Sequence, residues 1–248
     1  MAHESLIEAG HYRARLAAGA EDIARAQSLR ARVFRGDDAA GDADAFDAVC
    51  RHVLIEDRAS GALVCCYRLL AVENGSHIGE SYSAQFYELG SLAEYDGAMV
   101  EVGRFCIAPE ARDGDVLRLA WAALTRIIDD EGIGMLFGCS SFHGTDAQEY
   151  LDAFAFLRAR HIAPRKYLPR VKAPDVFRFA ARLRRKPDVK RALKVMPPLL
   201  RSYLMMGGWV SDHAVVDRDL GTLHVFTGLE IGAVPAARQR ALRGMVAG

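Results

Sequence analysis

Hydrophobic residues recur along the chain at two spacings, one typical of helices and one typical of strands. Helical spacing predicts helices over residues 20–35, 83–95, 115–131, 146–158, 176–185, 199–206 and 235–245. Continuous or alternating apolar runs predict strands over residues 52–57, 62–71, 99–107, 135–139, 209–216 and 222–230. A turn at Ser60–Gly61 joins the first two strands as a hairpin, and Asp113 and Gly132 mark the ends of the third helix. This order indicates an α/β (α+β) fold with a mixed central sheet and helices on both faces, and not a Rossmann fold.

The predicted strand 99–107 carries charges in an otherwise apolar run. Glu101 and Arg104 lie three residues apart within it, and buried charges need partners or a function. The loop 108–114 and a helix N-terminus follow. A strand with charges at a bulge, then a loop and a helix, is a common way to bind an activated acyl group.

Composition narrows the class of protein. The chain has 248 residues, is 51% hydrophobic and 26% charged, and we interpret residues 1–248 as a single domain. No apolar stretch reaches the roughly 18 residues that span a bilayer, no signal peptide is visible at the start, and no Gly-x-Gly-x-x-Gly or Walker loop is present. The five cysteines fit buried, reduced thiols in a cytoplasmic protein, and none shows zinc-ligand spacing, so we predict no metal.

Charge is distributed unevenly although the formal net charge is zero. The segment 158–194, a basic excursion within the domain, holds 14 Lys and Arg residues and two acidic ones, while the whole chain has 32 of each sign. Such a concentration predicts an acidic partner: an anionic membrane surface, an acidic carrier protein or nucleic acid. No nucleic-acid-binding motif is present, which argues against nucleic acid. Phe177, Phe179 and Leu183 are the apolar residues that we expect to enter a membrane.

Several short motifs together resemble a known family. Residues 30–34 (RARVF), the acids Asp44 and Asp47, residues 67–70 (YRLL), Phe86 and residues 101–105 (EVGRF) resemble the signature of N-acyl-homoserine lactone synthases. These enzymes are a branch of the GCN5-related N-acyltransferase fold and take acyl groups from acyl carrier protein.

A more extensive resemblance covers nearly the whole chain. Residues 82–89 (YSAQFYEL), 101–106 (EVGRFC), 138–144 (GCSSFHG), 207–214 (GGWVSDHA) and 222–227 (TLHVFT) are similar to bacterial L-ornithine N-alpha-acyltransferases. That family moves a 3-hydroxyacyl group from acyl carrier protein to the alpha-amine of L-ornithine and forms lyso-ornithine lipid. The resemblance implies no cofactor of the enzyme itself, because the acyl donor carries the phosphopantetheine of acyl carrier protein. The loop 109–114 lacks the pattern with which acetyl-CoA users bind a pyrophosphate, which favours carrier protein as donor. The absence of a Trp soon after Phe34 and the long basic segment argue against lactone synthesis.

The resemblance also implies roles for individual residues. Glu101 is the expected general base or amine-orienting group, and Arg104 the residue that holds the pocket by pairing with acids such as Asp47. Backbone N–H groups of Gly103–Phe105 are the expected oxyanion donors. The predicted substrate-binding residues are Arg30, Phe34, Asp44, Asp47, Arg68, Phe86, Gly103, Phe105, Cys139, Ser140 and Ser141. The predicted partner-binding residues are Arg165, Lys166, Arg184, Arg185 and Lys186.

Alternatives remain open at this point. The charged residues Arg30, Asp44, Asp47, Arg68, Glu101 and Arg104 form, in the structural alternative, a buried ion-pair network that fixes the fold. The alternative functions are N-acyl-homoserine lactone synthase, another N-acyl amino acid synthase, or a basic membrane-binding module without enzymatic activity. The His213…Asp217 spacing and the group Cys139–Ser141 with His143 resemble catalytic arrangements, and we interpret both as chance. The predicted location is the cytoplasm, peripheral to the inner membrane.

Overall fold

A computed structural model of the chain describes residues 5–36, 41–111 and 113–246. Its strands are β1 (Ser5–Ala9), β2 (Tyr12–Leu16), β3 (Arg51–Asp57), β4 (Leu63–Val72), β5 (Tyr87–Glu88), β6 (Met99–Ile107), β7 (Met135–His143), β8 (Arg170–Val171), β9 (Val176–Phe177), β10 (Trp209–Val210), β11 (Ala214–Asp217) and β12 (Thr222–Glu230). Its α-helices are α1 (Ala20–Phe34), α2 (Gly114–Glu131), α3 (Leu151–Arg160), α4 (Phe179–Arg182), α5 (Val189–Val195), α6 (Pro198–Met205) and α7 (Ala236–Val246). Short 3-10 helices cover Ala45–Ala48, Gly75–Glu80, Ser83–Gln85, Gly90–Leu92, Pro109–Ala111, Ala147–Tyr150 and Ile231–Ala233.

The chain divides into two compact units, and the first is built from residues 1–71, 102–133 and 236–248. Strands β1 to β4 pair antiparallel in sequence order, and β6 lies next to β4. Cys66 points toward α1, with its sulfur 3.7 Å from the carbonyl of Ala26. Tyr67 donates to the carbonyl of Ala120 on α2 at 3.1 Å. Adjacent strand residues point to opposite faces, so α1 and α2 cover the two faces of this sheet.

The second unit consists of residues 72–101 and 134–235. The start of β6 pairs in parallel with β7, and β7 pairs antiparallel with β12 along nine residues of each strand. Strand β11 follows β12, β9 follows β11, and β10 also pairs with β12. This combination of parallel and antiparallel pairs makes the sheet mixed, as predicted.

Helices α3 to α6 and the edge of this sheet enclose the second unit's aromatic core. Phe154 stacks on Phe179 with ring centroids 5.1 Å apart, and Phe142 lies 5.0 Å from Phe154. Phe179 is fully buried and Ala192 on α5 is buried as well. The basic segment 158–194 therefore contributes core residues of its own.

Several predicted elements differ from the structure. Residues 83–95 contain short 3-10 turns and β5 in place of a helix, and residues 176–185 contain β9 followed by the single helical turn α4. The strand predicted at 209–216 is split into β10 and β11, and β7 extends to His143. The sequence patterns did not predict β1, β2, β5, β8 or α5. The hairpin β3–β4, strand β6, and helices α1, α2, α6 and α7 are confirmed to within one residue at each end.

Helix α2 illustrates why the confirmed elements were predictable. The Asp113 carboxylate accepts hydrogen bonds from the N–H groups of Asp115 and Val116, which satisfies two backbone donors of the first turn. Gly132 ends the helix in the left-handed conformation, with φ 65°. Trp121 is buried on this helix, as its spacing with Leu117 and Leu124 predicts.

Candidate active site

An arginine–aspartate cluster lies in the first unit, with Arg30 of α1 at its centre. The Arg30 side chain is 1% exposed. Its Nε donates to Oδ2 of Asp42 at 2.9 Å, and its Nη1 donates to Oδ1 of Asp47 at 2.6 Å. The Arg30 guanidinium also donates to the backbone carbonyl of Asp42. A single guanidinium group thus binds two carboxylates, those of Asp42 and Asp47, in the segment that precedes β3.

Arg68 of β4 and Arg104 of β6 extend this cluster. Arg68 Nη1 donates to Asp44 at 2.5 Å and to Asp47 at 2.8 Å, and its Nη2 donates to Asp44 at 2.7 Å. Arg104 Nε donates to Asp42 at 2.9 Å, and its Nη2 donates to Asp44 at 3.1 Å. Asp42 and Asp44 are therefore acidic partners of Arg104.

Opposite charges keep the carboxylates of the cluster ionised. Burial by itself would raise the pKa values of Asp42, Asp44 and Asp47, because it penalises the charged form. The neighbouring guanidinium groups outweigh that penalty, and the pKa of each of the three carboxyl groups lies below its ordinary value of 3.8. Asp44 and Asp47 also cap the 3-10 turn Ala45–Ala48, because Asp44 accepts from the Phe46 N–H and Asp47 accepts from the Asp44 N–H. The buried ion-pair network proposed as the structural alternative therefore exists among these residues.

Strand β6 is irregular at the point where it joins this cluster. Arg104 has a φ of 51°, the one positive φ among the non-glycine residues that the structure describes. Such a conformation costs energy in a residue with a side chain and occurs where the surroundings enforce it. The ion pairs of Arg104 supply that enforcement, and Phe105 stacks on Tyr67 with ring centroids 5.3 Å apart. A bulge at this position was predicted from the sequence.

Glu101 lies in the second unit and is held by the turn at residues 82–83. Its Oε2 accepts from the Tyr82 N–H at 2.7 Å, and its Oε1 accepts from the Ser83 N–H at 2.7 Å. The Ser83 hydroxyl donates to the same Oε1 at 2.5 Å, and the Glu101 residue is 3% exposed. Ser83 Oγ also lies 3.4 Å from Cys139 Sγ. The structure thus places two predicted residues, Glu101 and Cys139, around a hydroxyl that sequence analysis missed.

The predicted residues Cys139, Ser140 and Ser141 follow one another on β7 opposite β12. Ser140 is buried and its hydroxyl accepts from Thr227 Oγ1 at 2.9 Å. Ser141 is exposed and pairs in register with His224. Alternation along the strand therefore places Ser140 on one face of the sheet and Cys139 and Ser141 on the other.

Two buried histidines form a second polar group in this unit. His213 Nδ1 lies 2.6 Å from the Asp212 carboxylate, so Nδ1 of this imidazole carries a proton. Tyr87 donates to the His224 carbonyl at 2.8 Å, and His224 Nδ1 lies 3.1 Å from the Tyr87 hydroxyl. Among the described residues, neither Nε2 atom has a hydrogen-bond partner. Burial and the charge of neighbouring His213 lower the pKa of His224 from 6.5 to about 3, so its imidazole is neutral at physiological pH.

Phe86 and Phe34 complete the set of predicted substrate-binding residues. Phe86 contacts the rings of Tyr82 and His224, with centroid distances of 5.3 and 5.0 Å. Phe34 is the last residue of α1 and is half-buried. A Cβ placed on Gly103 would lie 3.5 Å from Arg68 Nε, an ordinary contact, so Gly103 is not required by crowding at that point.

The predicted partner-binding residues are exposed and differ in their contacts. Lys166 donates to Tyr167 Oη at 2.9 Å, Arg185 pairs with Asp152 at 2.7 Å, and Arg184 donates to backbone carbonyls of α4 and Leu183. Arg165 and Lys186 form no ion pair with any residue that the structure describes. No group of three or more His, Cys, Asp or Glu residues is positioned for a metal ion in the described ranges.

Comparisons with known proteins agree with this fold. Residues 29–122 match the acetyltransferase (GNAT) domain family. FeeM, an N-acyl amino acid synthase from uncultured soil microbes, superposes with a TM-score of 0.52 at 8% identity, covering 90% of this chain and 94% of FeeM. Together with the mixed sheet and the helices on its faces, these matches show that the chain has the GNAT fold.

Similarity in sequence identifies the family within that class. L-ornithine N(alpha)-acyltransferase of Rhodobacter capsulatus is 33% identical over 229 residues, which cover 86% of this chain and 88% of the relative. The enzyme of the same name from Brucella abortus is 33% identical over 244 residues, which cover 90% and 85% respectively. The chain belongs to the L-ornithine N(alpha)-acyltransferase family.

Proposed function

We propose that this enzyme transfers a 3-hydroxyacyl group from acyl carrier protein to the alpha-amine of L-ornithine, forming lyso-ornithine lipid. We infer ornithine as the acceptor from the 33% identity to L-ornithine N(alpha)-acyltransferases, which extends across at least 85% of both chains. The donor and its hydroxyl group rest on the resemblance of the motifs in residues 82–89, 101–106 and 138–144.

The reaction forms a C–N amide bond and breaks the C–S bond of a thioester. The amine must lose a proton, the carbonyl oxygen gains negative charge in the tetrahedral intermediate, and the thiol leaves with a proton. We assign the amine's proton to Glu101, directly or through water. The Ser83 hydroxyl supports this role, because it can turn from donor to acceptor when the Glu101 carboxylate becomes protonated.

The backbone N–H groups of Gly103–Phe105 are the proposed donors to the oxyanion. The left-handed conformation at Arg104 supports this assignment, because it turns successive peptide groups away from the regular strand direction. The ion pairs of Arg104 with Asp42 and Asp44 then have a positioning role, since they hold that conformation.

Acyl carrier protein is the proposed donor in preference to CoA. The loop 109–114 lacks a pyrophosphate-binding pattern, and the exposed cations Arg165, Lys166, Arg184, Arg185 and Lys186 suit an acidic partner. We place the reaction in the cytoplasm, beside the inner membrane that receives the lipid product. No described helix is long and apolar enough to cross a membrane.

Expression in a bacterium that lacks aminolipids tests the proposal. Lipid extracts should contain a new ornithine lyso-lipid by mass spectrometry, and the E101Q variant should produce far less of it. In vitro, the purified enzyme should consume 3-hydroxyacyl carrier protein and leave the matching acyl-CoA unused. Diffusible homoserine lactones without any ornithine lipid would move the assignment to lactone synthesis, and turnover of acyl-CoA alone would overturn the donor.

A further inference from the structure

Helices α5 and α6 expose an unusual number of large apolar side chains. The described residues include five exposed large hydrophobic ones, and four of these, Val189, Leu193, Val195 and Met205, lie within residues 189–205. Their exposed fractions range from 38% to 57%. Single exposed apolar residues are ordinary, but a cluster of them indicates an interaction site.

The opposite sides of both helices are anchored in the core. Ala192 and Met196, four residues apart, are buried, as are Leu200 and Leu204. Arg201 of α6 donates to the Leu193 carbonyl of α5 at 3.3 Å, which fixes the two helices side by side. The exposed side chains therefore belong to helices whose other side is packed in the core.

Positive charge lies directly beside the exposed apolar residues. Val189 and Leu193 share one side of α5 at i and i+4, and Lys190 and Lys194 follow in the adjacent row. Neither lysine pairs with a carboxylate among the described residues, and Arg191 reaches only the distant Asp152, at 3.6 Å. Residues 189–205 contain four Lys or Arg residues and no acidic one.

The residues first expected to enter a membrane do not belong to this surface. Phe179 is fully buried, and Phe177 and Leu183 pack against the aromatic core of the second unit. Inserting them would require unpacking that core. The prediction of Phe177, Phe179 and Leu183 as membrane-entering residues is therefore wrong.

We propose that Val189, Lys190, Leu193 and Lys194, here called the α5 surface, dock on an anionic lipid surface. Aliphatic side chains can enter the headgroup region singly, while lysine stems extend along them and keep the ammonium groups at the phosphates. An acidic carrier protein would also attract Lys190 and Lys194, but its charge alone would not account for the exposed apolar pair Val189 and Leu193. The inference goes beyond the acyl transfer proposed above, and its test needs no catalysis.

Vesicle sedimentation at several salt concentrations tests this surface. Wild-type enzyme should bind vesicles of equal parts phosphatidylcholine and phosphatidylglycerol, and bind poorly to phosphatidylcholine alone. The K190Q/K194Q variant should bind about thirty-fold more weakly, which is about fivefold for each lysine. The V189S/L193S variant should lose about tenfold through its smaller apolar contact. R238Q/R240Q on α7 and V49S, which change exposed residues elsewhere, are the charge and apolar controls.

A second measurement keeps the test independent of the variants' folding. Hydrogen–deuterium exchange of the wild-type enzyme should slow within residues 189–205 when the anionic vesicles are added. Slowing confined to other segments, or unchanged binding by K190Q/K194Q, would overturn the proposal. A raised KM for acyl carrier protein in K190Q/K194Q, with vesicle binding intact, would assign the surface to the carrier instead.

Discussion

The charges of the first unit and the polar groups around Glu101 in the second differ in how they are held. Asp42, Asp44 and Asp47 are bound by guanidinium groups, so protonation of any of them would break ion pairs. Glu101 instead accepts from a hydroxyl that can reverse its direction as well as from two backbone N–H groups. An arrangement of the first kind fixes geometry, whereas one of the second kind can tolerate the movement of a proton. Glu101 and Arg104 lie in one motif, residues 101–105, but they are held in different ways. The second way suits the proposed proton transfer at Glu101, and the first suits a positioning role for Arg104.

Removal of Arg30 should have the largest effect on stability. Arg30→Met leaves Asp42 and Asp47 without a shared partner in a buried position, and breaking such a pair costs about 3–5 kcal/mol. Urea unfolding of the purified enzyme measures this loss. Arg32→Met, two residues away on α1, is the matched control, because the ion pair of Arg32 with Glu110 is exposed and is worth about 1 kcal/mol or less. Equal losses in both variants would show that the cluster does not carry the fold of the first unit.

Glu101→Gln should reduce turnover strongly while the enzyme stays folded. The amide keeps the shape of the side chain but cannot take up the amine's proton, so kcat should fall about a hundredfold. One backbone N–H of residues 82–83 would face the amide nitrogen, and this mismatch should cost about 1–3 kcal/mol of unfolding free energy. Rates with acyl carrier protein and ornithine, alongside urea unfolding, separate the two effects.

Glu73→Gln provides the control for that experiment. Glu73 is an exposed glutamate of the second unit, so the same chemical change there should leave turnover and stability unchanged. A near-wild-type rate in Glu101→Gln would exclude Glu101 as the base and leave it as an anchor for the turn at residues 82–83.

The two units should respond to acid at different pH values. The depressed pKa of buried His224, about 3, means that neutral His224 contributes stability above pH 6.5, and that this contribution is lost as pH falls from 6.5 toward 3. The slope is at most about 1.4 kcal/mol per pH unit for one proton. The carboxylates of the first unit, whose pKa values are lowered from 3.8, contribute stability that is lost only below about that pH. Hydrogen exchange between pH 6.5 and 4.5 should therefore show the second unit losing protection first.

His224→Gln should reduce that slope, because glutamine does not titrate; the part that remains comes from His161, whose pKa burial also lowers. His143→Gln, an exposed residue of the same unit, is the control and should keep the slope. If both units lost protection together below pH 4, or if His224→Gln kept the wild-type slope, then the titration of His224 would not govern the acid sensitivity of the second unit.

Local signals explain which parts of the fold were predictable. The hairpin β3–β4 and helix α2 carry their own turn and capping residues, such as Gly61 and Asp113. Residues 83–95 have helical spacing, but the backbone N–H groups of Tyr82 and Ser83 bind the Glu101 carboxylate, a tertiary partner that the local pattern cannot show. The short strands β1 and β2 have polar residues such as Arg13 and Arg15 within them, and their pairing decides their structure.

The residues of the candidate site were also predictable only where a local pattern marks them. Glu101 and Arg104 stand out in the sequence because they interrupt an apolar strand. Asp42 was missed, because it is one of several acids in the loop 36–44 and only the approach of Arg30 and Arg104 distinguishes it. Ser83 was missed for a similar reason, since its hydroxyl matters through a contact 18 residues away in sequence.

Among these variants, Ser83→Ala should have the smallest effect on the enzyme. It tests most directly whether the hydroxyl beside Glu101 distinguishes that carboxylate from the ion-paired acids of the first unit. The variant keeps both backbone donors to Glu101 and removes only the hydroxyl, so turnover should fall about tenfold, the value of one hydrogen bond to a charged group. The ionised carboxylate would lose one stabilising donor, so the acid side of the pH–rate profile should move to higher pH. Ser91→Ala is the matched control, because the Ser91 hydroxyl is buried without a hydrogen-bond partner among the described residues. A tenfold loss with an unmoved pH profile would mean that Ser83 only supports the turn, and that proton transfer in the second unit passes through another group, with His213 beside Asp212 as the next candidate.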